Sequence, residues 1–204
     1  MKLYIVRHGE TVWNRHHKVQ GVADIPLAEN GILLAEKTGE ALKNVSFDLC
    51  ITSPLVRARK TAELILAKQA HKVPVKEDIR IREINFGVLE GVVCMNDARE
   101  YLDPQMKKFF TDPWNFDRPK DGESIRDVLA RTKEFWEELI HNPKLQDKTI
   151  LIASHGCAVR ALLHNVYKDH EDFWHGFVPL NCSVNVVEVT DGQAVLLEDD
   201  KVYA

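Results

Sequence analysis

The chain has 204 residues, 45% of them hydrophobic and 28% charged, and a net charge of −4 from 27 basic and 31 acidic side chains. That is an ordinary globular composition, long enough to bury a core and a pocket. The charge balance argues against a general nucleic-acid binder, whose footprint is a basic excess. No apolar run approaches the ~18 residues of a membrane span, and the run Leu3–Val6 is too short for a signal peptide. A cytoplasmic protein without a membrane partner is expected. Cys50, Cys94, Cys157 and Cys182 lie far apart with no C-x-x-C pair, so reduced, mostly buried thiols are expected rather than disulfides or a zinc site.

In chain order, LYIV (3–6) reads as a buried strand. After an Asn30-Gly31 turn, the apolar spacing over 32–42 predicts a helix. DLCIT (48–52) is the next strand, and Ser53-Pro54 marks the start of a helix over 55–67, serine as cap and proline at the first helical position. VPVK (73–76) is a short strand, and 77–121 is irregular. Ser124-x-x-Asp127 resembles a capping box opening a helix with Ile125, Val128, Leu129, Thr132, Trp136, Leu139 and Ile140 on one face. TILIAS (149–154) is a strong strand, 157–167 a helix, and 184–189 with 194–198 a hairpin across Thr-Asp-Gly-Gln, antiparallel at a sheet edge. The alternation predicts an α/β fold with a mostly parallel sheet. No repeat, low-complexity tract or linker divides it, so one domain over 1–204 is expected.

Three strand-to-helix junctions carry polar residues without a core role: Arg7-His8-Gly9-Glu10, Ser53 to Arg57, and Ser154-His155-Gly156. Ligands of open α/β sheets bind beyond the carboxyl ends of the strands, so these junctions converge. Two arginines and two histidines there make an anion site, and helix starts at Pro54 and Gly156 would add backbone N–H groups. The arginine fork suits phosphate. A divalent cation would have to share the pocket with Arg7 and Arg57, which disfavours a metal. A neutral imidazole can attack phosphorus, with the cations stabilising the equatorial oxygens. A leaving alkoxide needs a proton, and the candidate donor is Glu83 in IREINFGVLEG (81–91), with Glu77, Glu90 and Glu100 as neighbouring carboxylates.

RHGETVWN (7–14), the QG at 20–21, SPLVRARKTA (53–62), IREINFGVLEG (81–91) and SHG (154–156) together resemble the histidine phosphatase superfamily, also called phosphoglycerate mutase-like. The ordered set spans about three quarters of the chain. The resemblance implies a three-layer α/β/α sandwich, its central sheet mostly parallel with an antiparallel edge strand. It implies that His8 is the phosphorylated nucleophile and that Arg7, Arg57 and His155 form the phosphate pocket. Asn14, Gln20 and the backbone at Gly21 and Gly156 would be further phosphate contacts. Glu83 would protonate the leaving group and then activate water. No metal or cofactor is implied; the partner is a small phosphate ester, and a monomer or homodimer is expected.

Hydrolysis and mutase chemistry share these residues. Residues 92–121 are the expected cap that decides between them by admitting or excluding water. Phosphoglycerate mutases carry an adjacent arginine pair in that region, an arginine directly after the glutamate and a tyrosine three residues after it. Here no pair occurs and the two positions are Ile84 and Phe86, which favours a phosphomonoesterase over a mutase. A ribazole phosphatase shares this short layout. A non-catalytic phosphoprotein-binding module would normally have lost His8 or Glu83. The aromatic residues Tyr101, Phe109, Phe110, Trp114 and Phe116 suggest a partly apolar pocket for aryl or other non-sugar esters.

Overall fold

Strand β1 (Lys2–Arg7) is buried at its four central residues, as expected of an apolar run inside a sheet covered on both faces. In the computed structural model, which describes residues 1–203, it joins β2 (Leu49–Thr52), β3 (Val75–Glu77), β4 (Thr149–Ser154), β5 (Val184–Thr190) and β6 (Gln193–Lys201). The six form one sheet in the order β3-β2-β4-β1-β5-β6. β1, β2, β3 and β4 are mutually parallel, while β5 pairs antiparallel with both β1 and β6. The terminal hairpin therefore closes one edge, and its reversed strand is the inner one.

Helix α2 (Glu29–Ala41), through its C-terminal cap residue Leu42, and α3 (Val56–Leu66), through Ala62 and Ile65, pack against Tyr4, Val6 and Cys50 on one face of the sheet. On the other face, α5 (Ile125–Ile140) and α6 (Gly156–Leu163) pack Phe135, Trp136, Val159 and Leu162 on Ile5, Ile150 and Ile152. This is an α/β/α sandwich. Each fully buried aliphatic or aromatic side chain contributes roughly 1.5–3 kcal/mol. A third apolar cluster, with Ile84, Phe86, Met106, Phe109, Phe116 and Trp174, lies under residues 92–121 and joins them to the main body. All four cysteines are free thiols and buried.

Four expectations are corrected. The Asn30-Gly31 pair is no turn: α2 begins at Glu29 and runs through it. Gly31 is there for close approach, since a Cβ on it would stand 2.1 Å from the Glu10 carbonyl oxygen, and one on Gly9 would stand 2.5 Å from that of Gly31. Ser53-Pro54 does not open α3 either. That helix has Leu55 as its cap residue, and the Asp24 carboxylate takes the Val56 N–H at 2.7 Å, which leaves the Ser53 hydroxyl for another use. Helix α6 ends at Leu163, short of residue 167. Within 77–121, helix α4 (Pro104–Thr111) forms behind Asp103, whose side chain accepts the Met106 N–H, an Asp-Pro start with proline at the first helical position. A single helical turn, α1 (Val12–Arg15), was likewise unpredicted and is closed by a Thr11–Asn14 capping box.

Candidate active site

Sheet register places the three junctions level. Val6 lies beside Ala153, and Ala153 beside Thr52, so Arg7-His8, Ser53 and Ser154-His155 leave the sheet together. The His8 backbone is pinned by its N–H to the Ser154 carbonyl at 2.9 Å and by the Asn181 side-chain amide on its own carbonyl at 3.0 Å. Its Nδ1 lies 2.7 Å from the Gly9 carbonyl oxygen. A carbonyl only accepts, so Nδ1 carries the proton and Nε2 keeps the lone pair. Burial, and then the charges of Arg57 and Arg7, hold the His8 pKa well below 6.5. The ring is therefore neutral and nucleophilic at neutral pH.

The His155 ring stands across from it at a centroid distance of 5.1 Å. Its Nε2 meets the Ser53 hydroxyl at 2.7 Å, while that oxygen accepts the Leu55 N–H at 3.3 Å. The hydroxyl hydrogen is thus free to go to Nε2, which puts the ring proton on Nδ1. Burial, Arg57 and His8 depress the His155 pKa as well.

Arg57 is fully buried in the first turn of α3, where a cation opposes the helix dipole. It donates to the carbonyls of Ala23 at 2.8 Å and Gly21 at 2.6 Å. Burial lowers its pKa to about 10, which leaves it charged at neutral pH. Arg7 donates to the Pro179 carbonyl. What remains is telling: Nε of Arg7, Nε of Arg57, Nδ1 of His155 and Nε2 of Gln20 are buried without a hydrogen-bond partner. Unpaired buried donors cost roughly 1–3 kcal/mol each, so this part of the molecule is built for an acceptor with several oxygens.

Glu83 is buried beneath this hollow. Its carboxylate accepts the N–H groups of Ile84 at 3.0 Å, Cys157 at 3.2 Å and Ala158 at 3.2 Å. Burial nonetheless raises its pKa above 4.5, against those bonds and the nearby arginines. A carboxyl that keeps its proton at higher pH suits a donor to a leaving oxygen. At Gly156 a Cβ would stand 2.8 Å from the Val178 side chain, which would have to shift, and 3.6 Å, an ordinary contact distance, from both Arg7 Nε and Glu83 Oε2.

One expected phosphate contact is reassigned. The Gly21 N–H is committed to Glu90 at 3.0 Å, so this glycine acts through its carbonyl on Arg57 and not as a phosphate donor. The start of α6 spends the N–H groups of Cys157 and Ala158 on Glu83, and these bonds do not involve the Gly156 N–H. Asn14 and Gln20 do face the cavity. The Asn14 oxygen takes the Thr11 N–H and the Gln20 oxygen takes the Thr11 hydroxyl, and the Gln20 amide nitrogen is left buried without a partner.

Sequence reasoning missed two residues. Glu90 accepts from the N–H groups of Gly21, Val22, Ala23 and Phe86. Arg131 on α5 donates to the carbonyls of Arg80, Arg82 and Glu83 and pairs with Glu123, fixing the backbone that carries the acid. Nothing marks Arg131 in a helix with other charged positions. Glu90 carries a signal, a carboxylate between Leu89 and Gly91 in a glycine-bounded segment, but the same signal fits a neighbouring carboxylate that competes with Glu83.

Beyond the hollow lies an inner cavity of about 100 Å³, walled by Phe86, Met106, Phe109, Phe110, Trp174 and Val178. Trp114 is not part of it. Its indole N–H goes to the Glu171 carbonyl and its ring lies against Phe173 and His164; the tryptophan at the cavity is Trp174. Among the described residues no helix is long and apolar enough to cross a membrane.

The sequence profile of the histidine phosphatase superfamily (branch 1) matches residues 3–199. A 2,3-bisphosphoglycerate-dependent phosphoglycerate mutase 2 from Gloeobacter violaceus is 35% identical over 164 residues, covering 79% of this chain and 73% of the relative; further curated relatives carry the same mutase name. Among solved structures, Bacillus stearothermophilus YhfR superposes with a TM-score of 0.86 at 30% identity, covering 98% of this chain and 97% of that one. A phosphoserine phosphatase mutant from Entamoeba histolytica, in complex with phosphoserine, superposes with a TM-score of 0.76 at 30% identity, covering 97% and 95%. With its motifs in order at the carboxyl ends of one sheet and the family profile spanning nearly its whole length, the chain belongs to the histidine phosphatase superfamily.

Proposed function

We propose that the protein is a metal-independent phosphomonoesterase that works through a phosphohistidine on His8. The observation that carries this reading is the neutral His8 ring set among buried, unpartnered donors of Arg7, Arg57, Gln20 and His155. In the proposed cycle His8 Nε2 attacks phosphorus while the P–O bond to the alcohol breaks, and the Glu83 carboxyl gives its proton to the leaving oxygen. The Glu83 carboxylate then takes a proton from water, the oxygen of that water attacks the phosphohistidine, and inorganic phosphate leaves with His8 restored. Arg7 and Arg57 supply the positive charge that stabilises the equatorial oxygens, a task a divalent ion performs elsewhere.

Hydrolysis is favoured over mutase chemistry by the wall next to Glu83. Ile84 is fully buried and Phe86 nearly so, and both belong to the apolar cluster under residues 92–121. Neither can grip the carboxylate or hydroxyl of a sugar acid. We take 92–121 as the cap over the site, and its apolar wall as suited to aryl and other non-sugar esters. The test is a panel of phosphate esters assayed with EDTA present, beside His8→Ala. Phosphate release that EDTA leaves intact and His8→Ala abolishes is expected. EDTA-sensitive release sinks the metal-free cycle, and efficient 3-phosphoglycerate isomerisation moves the assignment to mutase.

A further inference from the structure

Outside the inner cavity the pocket widens to a mouth of about 730 Å³. Its polar lining consists of Arg7, Asn14, His17, Arg99 and Asn181, and among the described residues no carboxylate lines it. The chain as a whole has more acidic than basic groups, 31 against 27, so a mouth of this size without one departs from the average surface. An oxyanion entering it meets two arginines and no carboxylate, between low-dielectric walls that focus their field. Those walls are apolar: Met95, Tyr101, Phe110, Trp174, Phe177 and Leu180. Phe177 and Leu180 are more than half exposed, at 53% and 55%.

Arg99 sits at the tip of a hairpin in which Met95 pairs with Tyr101. Neither carboxylate of the same hairpin is in ion-pair contact with it: Glu100 takes the Asn96 side-chain amide at 2.7 Å, and Asp97 makes no salt bridge among the described residues. Elsewhere in the segment Lys108 pairs with Asp117 and Arg118 with Asp127; Arg99, like Lys107 and Lys120, has no ion pair among the described residues, and of these three only Arg99 lines the mouth. Its φ of +61° is a conformation that costs a non-glycine residue about 1–3 kcal/mol. A cation without an ion pair thus stands, at a conformational cost, over the same cavity that ends at Arg7.

We propose that Arg99, assisted by His17, is a specificity-determining subsite for a second oxyanion. The substrate class is then a phosphate monoester with an apolar or aryl body whose far end carries a carboxylate or a second phosphate. The proposal rests on the reading of the inner site as a phosphomonoesterase and names the other end of its substrate.

The test compares kcat/KM for phenyl phosphate, phenyl phosphates with a para carboxylate on one-carbon and three-carbon tethers, and 1,4-phenylene bisphosphate. At least one doubly anionic ester is expected to exceed phenyl phosphate about tenfold, chiefly through KM, since one charge-assisted contact of ~1.4 kcal/mol gives that factor. Arg99→Gln brings the ratio close to one, Arg99→Lys retains part of it, and Arg59→Gln on α3 retains all of it. The carboxylate and bisphosphate arms separate the two kinds of oxyanion. The corresponding phenylphosphonates are also titrated calorimetrically into the native protein and Arg99→Gln. Tighter Arg99-dependent binding of the doubly anionic phosphonate without hydrolysis of any ester overturns the phosphatase reading and keeps the subsite. Hydrolysis with no preference, or with a preference that survives Arg99→Gln, overturns the subsite alone.

Discussion

Arg57 and Glu90 hold opposite edges of one loop: Arg57 donates to the carbonyls of Gly21 and Ala23, while Glu90 accepts the N–H groups of the same two residues and of Val22 between them. The loop therefore fixes the guanidinium only as firmly as Glu90 fixes the loop. Glu90→Gln replaces an oxygen acceptor by an amide N–H₂ that cannot accept. Loss of one or two charge-assisted bonds, at about 1.5–3 kcal/mol each, is expected to lower kcat/KM by about 10–100-fold and to reduce the denaturation midpoint. Native kcat/KM in this variant, measured on an aryl phosphate, refutes the coupling.

Glu83 has two tasks in the proposed cycle, and they separate by leaving group. An alkoxide needs its proton, whereas 4-nitrophenolate departs without one. Glu83→Gln is expected to slow release from an alkyl ester by about 10²–10⁴-fold. From 4-nitrophenyl phosphate it should give a burst of one nitrophenolate per protein followed by slow turnover, because the phosphohistidine then lacks its base. The pH profile follows from the directions of the shifts. His8 is deprotonated down to well below 6.5, and Glu83 stays protonated to above 4.5, so turnover of the alkyl ester falls as pH rises through the Glu83 carboxyl. A flat alkaline limb for the alkyl ester contradicts the assignment.

The same rings shape stability. Burial lowers the pKa of both His8 and His155, so below pH 6.5 the unfolded chain binds protons that the folded chain refuses. Stability is full above 6.5 and is lost as pH falls toward the folded values, at up to about 1.4 kcal/mol per pH unit for each ring. Glu83 has the opposite sign: its raised pKa adds stability below 4.5 that is lost as pH rises through the folded value. Urea unfolding at pH 7.0 and 5.5 is expected to show a drop in the native protein that His8→Asn and His155→Asn each reduce. Equal drops in all three proteins exclude this origin.

How far the sequence could be read depended on whether a residue's partner was local. The strands around Ile5, Ile51 and Ile152 were legible because continuous apolar runs fit only a doubly covered sheet, and the junction residues His8, Arg57 and His155 followed from that topology. Gly31 misled because it sits in a helix for the sake of Gly9 and Glu10, residues about twenty positions away. Ser53 misled for a like reason: Asp24 serves Val56 at the start of the helix, while the Ser53 hydroxyl accepts the Leu55 N–H and meets His155. Glu90 and Arg131 act on backbone groups brought near by folding, and no spacing in the sequence announces that.

The cap aromatics give the last test, since Phe110 and Trp114 look equivalent in sequence and are not. Phe110 lines both the inner cavity and the mouth and stacks on Tyr101 at 5.8 Å. Trp114 faces Phe173 and His164, with its indole N–H on the Glu171 carbonyl. Phe110→Ala should remove apolar contact from the ester body and raise KM for an aryl phosphate about 5–30-fold, the equivalent of ~1–2 kcal/mol of lost burial. For a small ester such as glycerol phosphate the change should be much less, because that body does not reach the ring. Trp114→Ala loses packing and stability, yet should keep the ratio of aryl to glycerol ester kcat/KM. If Trp114→Ala shifts that ratio as much as Phe110→Ala does, the aryl body lies along a different wall from the one drawn by Phe86, Phe110 and Trp174.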